Sequence, residues 1–123
     1  PGFAPHAERP DQVMHKLLSR YRAHGLLGPG GAGGTFARIA EPGIRNELRK
    51  ELIERGSLVP VEVEGVRGKR LVLVEELELL QSPPEGPPTV AFLAPFDSFL
   101  WDTTLLGALF GFEFVWEGFV RAP

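Results

Sequence analysis

PGIRNELRKELIERGSLVPVEVEGVRGKRLVLV, residues 42–74, decides how the chain is read, because its apolar period changes from helical to extended within it. Pro42 suits the first turn of a helix, where its missing N–H is not needed, and Ile44, Leu48 and Leu52 follow four apart as one apolar stripe. Gly56 stands where a left-handed residue closes such a helix. Beyond it the spacing becomes two: Val59, Val61 and Val63 alternate with Pro60, Glu62 and Glu64, as in a half-buried strand. A basic tip bracketed by Gly65 and Gly68 then leads into a second apolar run, Arg70 to Val74. The two runs form a β-hairpin whose turn takes its positive φ from those glycines. Pro60 cannot donate to a ladder, so the first strand belongs at a sheet edge.

Upstream, Val13, Met14, Leu17, Leu18 and Tyr21 recur at three- and four-residue spacing, which predicts a helix over Gln12–His24 with Asp11 as its N-cap and Gly25 as its stop. Residues 1–10 are an extended lead-in rich in proline. The stretch GLLGPGGAGG, residues 25–34, reads as a mobile loop. Gly28, Gly30 and Gly33 also fit a G-x-G-x-x-G spacing, but a dinucleotide loop needs a strand before it and a helix directly after it. Here a helix precedes. Thr35 to Ala40 form a short second helix or turn. Helix, loop, short helix, helix and hairpin in that order make a winged helix-turn-helix over residues 11–81, with Glu75 to Gln81 closing it as one or two helical turns.

SPPEGPP, residues 82–88, is a stiff linker and the expected domain boundary. After it, residues 89–123 read as an aromatic-rich strand-helix-strand segment, incomplete on its own. Thr89 to Ala94 is the first strand, and Asp97 caps a turn at Phe99 to Trp101. Asp102 or Thr103 caps a helix from Thr104 to Phe110 closed by Gly111. Phe112, Phe114 and Trp116 then alternate with Glu113, Val115 and Glu117 as a second strand. The fold class is α+β: a winged helix-turn-helix followed by the start of a second small α/β, winged-helix-like unit.

The chain has 123 residues, a hydrophobic fraction of 43% and no cysteine, the profile of one ordinary soluble domain or one and part of another. No apolar run approaches the roughly 20 residues of a bilayer span, and no basic n-region is followed by an apolar h-region, so no export is expected. Without cysteine there is no disulfide framework and no thiolate metal site; the expected location is cytoplasmic. The net charge of −3 conceals an asymmetry. Residues 1–70 carry +4 and residues 71–123 carry −7, so a polyanion would meet the first half.

The order LAPFDSFLWD, residues 93–102, followed by LFGFEFVWEGFVRAP, residues 109–123, resembles the signature of the winged-helix DNA glycosylases of the AlkZ/YcaQ type, the crosslink-repair glycosylases. LRKELIERGSLVPVEVEGVRGKRLVLVEELELL, residues 48–80, is similar to the winged helix preceding that signature in the family. The resemblance implies tandem winged helices embracing double-stranded DNA and hydrolysis of the N-glycosidic bond of alkylated or crosslinked purines. That bond breaks with oxocarbenium character, so the reaction needs a positioned water and a nearby dipole or carboxylate. In the family these come from a Gln-x-Gln or Gln-x-Asp motif, which neither Gln12 in DQVMH nor Gln81 in LQSPP matches. No catalytic residue is carried over, and a piece of a longer enzyme, not catalytic by itself, is expected. Thr103 stands where the family usually has Arg, and Phe114 and Phe119 where it has Tyr. The Lys/Arg- and Tyr-rich segment that normally follows is absent from the sequence.

The candidate DNA contacts are Arg45 and Arg49, bordering the apolar arc of the third helix, and Arg67, Lys69 and Arg70 on the hairpin, all through phosphates without base specificity. Pairs such as Glu51/Arg55 absorb much of the helix charge, so that helix is a poor base-reading face. Asp97 and Asp102 read as caps, with a paired-carboxylate site the alternative; Trp101 and Trp116 read as core, with base stacking the alternative. His6, His15 and His24 share no helix face, and neither a metal nor a cofactor is expected. The alternative function is a protein-interaction or dimerisation module without activity, contacting the rest of a parent chain or a second copy.

Overall fold

The computed structural model describes residues 9–32, 34–94 and 97–113. Its elements are α1 (Pro10–His24), α2 (Pro42–Glu54), the antiparallel strands β1 (Leu58–Glu62) and β2 (Lys69–Leu73), a 3-10 turn at Val74–Glu76, α3 (Leu77–Gln81), a second 3-10 turn at Ser98–Trp101, and α4 (Thr103–Phe110). Helix–helix–hairpin order and the mixed α+β content are those of the expected winged helix.

The helix starts differ slightly from expectation, for a common reason. Arg9 is the N-cap of α1, with Pro10 just inside the helix, so Asp11 lies in the first turn rather than ahead of it. Gln12 turns back to accept from the Arg9 amide at 3.3 Å, satisfying a donor that the helix leaves open. Proline at the first helical position recurs in α2, where Glu41 precedes Pro42.

The core forms where three apolar surfaces meet. α1 contributes Val13, Leu17 and Tyr21; α2 contributes Leu48 and Leu52; the hairpin contributes Leu58, Leu71 and Leu73. Each aliphatic side chain so buried contributes about 1.5–3 kcal/mol relative to exposure. The hairpin register pairs Leu58 with Leu73, Pro60 with Leu71 and Glu62 with Lys69. β1 has β2 on one side only, which is the edge position that Pro60 requires. Gly65 and Gly68 take φ of 78° and 82° in the turn, where an L side chain is strained.

The glycine-rich stretch contains more order than its composition suggests. Leu27 is fully buried and forms a one-residue third strand on β2: its amide donates to Leu71 O at 3.2 Å and its carbonyl accepts from Leu71 N at 2.9 Å. Phe36 and Ile39 follow it into the core. Gly31 is required by that packing, because a Cβ there would lie 2.7 Å from the Phe36 ring. Residues 34–38 are successive turns rather than a helix; the positive φ of Arg38 and Ala40, 61° and 75°, breaks the helical path.

The second segment departs from expectation at its start. Thr89 to Ala94 is not a strand: no ladder partner lies beside it among the described residues, and Val90 and Phe92 are 89% and 99% exposed. A strand needs its backbone groups paired, and side-chain alternation alone does not supply the neighbour. The second expected strand, through Phe114 and Trp116, lies outside the described residues, as do the lead-in residues 1–8. The cap readings hold. Asp97 accepts from Phe99 N at 2.9 Å, Asp102 accepts from Leu105 N at 3.0 Å, and Gly111 closes α4 in the left-handed region.

Candidate nucleic-acid interface

The hairpin tip, a turn of α1 and the start of α4 converge. Ser98 Oγ donates to Ala23 O at 3.1 Å, and the Trp101 ring stands 5.7 Å from that of His24 at the end of α1. Asp102 pairs with Arg70 of β2. On the far side of α1, Arg22 donates to Glu75 at 2.8 Å, tying the helix end to the turn after the hairpin. Between these elements opens a cleft of about 450 Å³. Gly28, Pro29 and Gly31 line one wall, Arg67, Gly68 and Lys69 another, and Trp101 to Thr104 the third.

The five expected DNA contacts fall into two groups. Arg67 and Lys69 are exposed on the cleft wall, and among the described residues neither takes part in an ion pair. Glu62 faces Lys69 across the ladder and moderates the local field without closing it off. The three other arginines are occupied by the protein itself. Arg49 is 6% exposed, donates Nε to the Tyr21 hydroxyl at 2.9 Å and Nη1 to Asn46 Oδ1 at 2.7 Å, and lies over the Phe36 ring. Arg45 spends Nη1 on the carbonyls of Phe36 and Ala40, at 3.0 and 2.9 Å, and so ties down the turn that precedes α2. Arg70 is 8% exposed and held by Asp102. α2 therefore presents its arginines inward, and its surface charge is partly spent internally, as in the Glu51–Arg55 pair.

Burial shapes the titration of two groups. It pushes the Tyr21 hydroxyl above its ordinary range, with Arg49 pulling back in the opposite sense, so Tyr21 is a neutral acceptor for the guanidinium. It pushes His24 below its ordinary range, assisted by Arg20 and opposed by Asp102 and by a hydrogen bond that the ring donates to the Ser98 backbone. His24 is thus a neutral imidazole at the junction, with Thr35 Oγ1 3.5 Å from its Nε2.

Sequence reading missed the junction itself. In sequence Asp102 stands as a cap and Arg70 as a DNA contact, and each role is incomplete because the two meet across 32 residues. Trp101, 39% exposed, edges the cleft rather than filling the core; Trp116 lies outside the described residues. Among the described residues no group of three His, Asp or Glu could hold a metal, and no helix is long and apolar enough to cross a membrane.

A family model described as DNA glycosylase AlkZ-like matches residues 1–123. The chain belongs to the AlkZ-like DNA glycosylase family. No curated protein and no solved structure matches it. Membership relates the chain to the DNA glycosylases of DNA repair. Both glutamines of this AlkZ-like chain have places in the fold away from the cleft: Gln12 caps α1, and Gln81 ends α3.

Proposed function

We propose that this chain is the DNA-binding and scaffolding segment of a repair glycosylase that acts on alkylated or crosslinked purines, and that it is not catalytic by itself. It touches duplex phosphates through Arg67 and Lys69 without reading bases. The observation that carries this reading is the pairing of family membership with two exposed cations on one wall of a cleft, at the tip of a paired hairpin. Phosphate contacts of this kind give sequence-independent, salt-sensitive affinity. The capping roles of Asp97 and Asp102, and the absence of a Gln-x-Gln or Gln-x-Asp motif, favour a supporting part over a hydrolytic one. Fluorescence anisotropy with a labelled duplex tests it, alongside a base-release assay on alkylated DNA. Salt-sensitive binding without base release is expected; no binding at low salt would sink the proposal.

A second reading, a protein-interaction module, is favoured by one observation. Phe92, Leu93, Phe99, Phe110 and Phe112 line an apolar groove, and each is 45% exposed or more. Exposed apolar surface on this scale marks a contact site on many proteins.

A further inference from the structure

Arg70 lines the same cleft as Arg67 and Lys69, yet its charge is not offered to solvent. Its Nη1 pairs with Asp102 Oδ2 and lies 3.5 Å from the Leu26 carbonyl oxygen; the Arg70 and Asp102 side chains are 9% and 12% exposed. The same carboxylate uses its other oxygen, Oδ1, to accept from Leu105 N in the first turn of α4. Asp102 thus accepts from two donors at once, a guanidinium on the hairpin and a backbone amide in α4. The pair is not sealed in the core. Both residues form part of the cleft wall, and a Cβ placed on Gly28 would come within 3.9 Å of the Arg70 side chain.

A carboxylate and a phosphodiester present the same thing to a guanidinium: two anionic oxygens that accept parallel N–H donors. We infer that Asp102 is an intramolecular stand-in for a DNA phosphate that masks Arg70, so that docking of residues 98–110 and polyanion binding at the wing compete for one guanidinium. The inference rests on the proposed contact between the wing and duplex DNA. Masking keeps a third cation out of non-specific binding until a phosphate reaches the cleft. By linkage the competition is reciprocal: a bound duplex loosens the docked segment by the same factor that docking weakens the duplex.

The test compares salt titrations of duplex binding for the full chain, Asp102→Asn, and Asp102→Asn/Arg70→Gln. Unmasking adds one phosphate contact, so Asp102→Asn should steepen the slope of log K against log salt by about 0.9, an extra loss of about 3.5-fold between about 50 and about 200 mM. It should also bind more tightly at low salt, and the double variant should return to the parent slope. A merely structural Asp102 gives the opposite sign, weaker binding with a disordered cleft. An unchanged or shallower slope in folded Asp102→Asn overturns the masking, and leaves the wing contact standing where Arg67→Ala/Lys69→Ala still weakens binding. No binding by any form overturns both. If Asp102→Asn does not fold, hydrogen exchange on the unaltered chain decides the matter. Masking requires the amides of residues 103–110 to exchange several-fold faster with saturating duplex, and unchanged or slower exchange overturns it.

Discussion

Tyr21→Phe removes one oxygen from a fully buried side chain, and its consequence depends on what that oxygen holds. The Tyr21 hydroxyl accepts from Arg49 Nε at 2.9 Å, inside a core where, among the described residues, Arg49 otherwise keeps only Asn46 and the Phe36 ring. Without it a buried, charged donor is left unsatisfied, a loss of about 1–3 kcal/mol. With an m-value of about 1.5 kcal/mol/M, a loss near the middle of that range moves the urea midpoint down by about 1.3 M, read by circular dichroism. Tyr21→Phe/Arg49→Met removes donor and acceptor together and keeps the volume apolar, so most of the loss should be recovered. The double-variant cycle isolates the pair. A Tyr21→Phe midpoint equal to that of the parent, or a double variant as weak as the two single losses added, refutes the assignment of Arg49 to the core. Duplex affinity gives an independent check: folded Arg49→Met should keep the salt slope of the parent chain, because its guanidinium faces Tyr21 rather than solvent.

Two further outcomes follow from the junction and the apolar groove. His24 titrates below its ordinary range because it is partly buried, so over a window opening near pH 6.5 and extending downward the unfolded chain binds a proton that the folded chain does not. Stability is therefore full above that window and declines as pH falls through it; His24→Gln should flatten the decline in urea midpoint between about pH 6.5 and 5. If the apolar groove is a contact between copies, sedimentation velocity should give a dimer that Phe110→Glu dissociates, whereas a monomer at every concentration removes the homodimer.

Elements with a sustained period were readable from the sequence. α1, α2 and the hairpin each repeat an apolar spacing over several residues, and their glycine and proline boundaries follow from backbone sterics. What escaped were features made by one residue or by a distant partner. Leu27 pairs with β2 through a single residue, with no period to betray it, inside a stretch whose glycines dominate the composition. Alternation in β2 says that Arg70 and Val72 share a face opposite Leu71 and Leu73, but not that the opposite face is covered as well. Arg70 therefore reads as exposed until Asp102 is placed beside it. Arg49 borders the stripe of α2, and only the packing of α1 decides that a border position lies inside. Thr89 to Ala94 is not a strand for the converse reason: its residue types suit a sheet, and among the described residues no sheet edge stands next to it. Asp97 and Asp102 were read correctly as caps because capping is local in sequence.

The claim that the wing meets DNA is tested most directly by the salt dependence of duplex affinity in Arg67→Ala/Lys69→Ala. Two phosphate contacts account for a slope of about 1.8, or about a twelvefold change in affinity between about 50 and about 200 mM salt. The double variant should lose that much of the parent slope while remaining folded. A folded double variant with the parent slope would contradict the account.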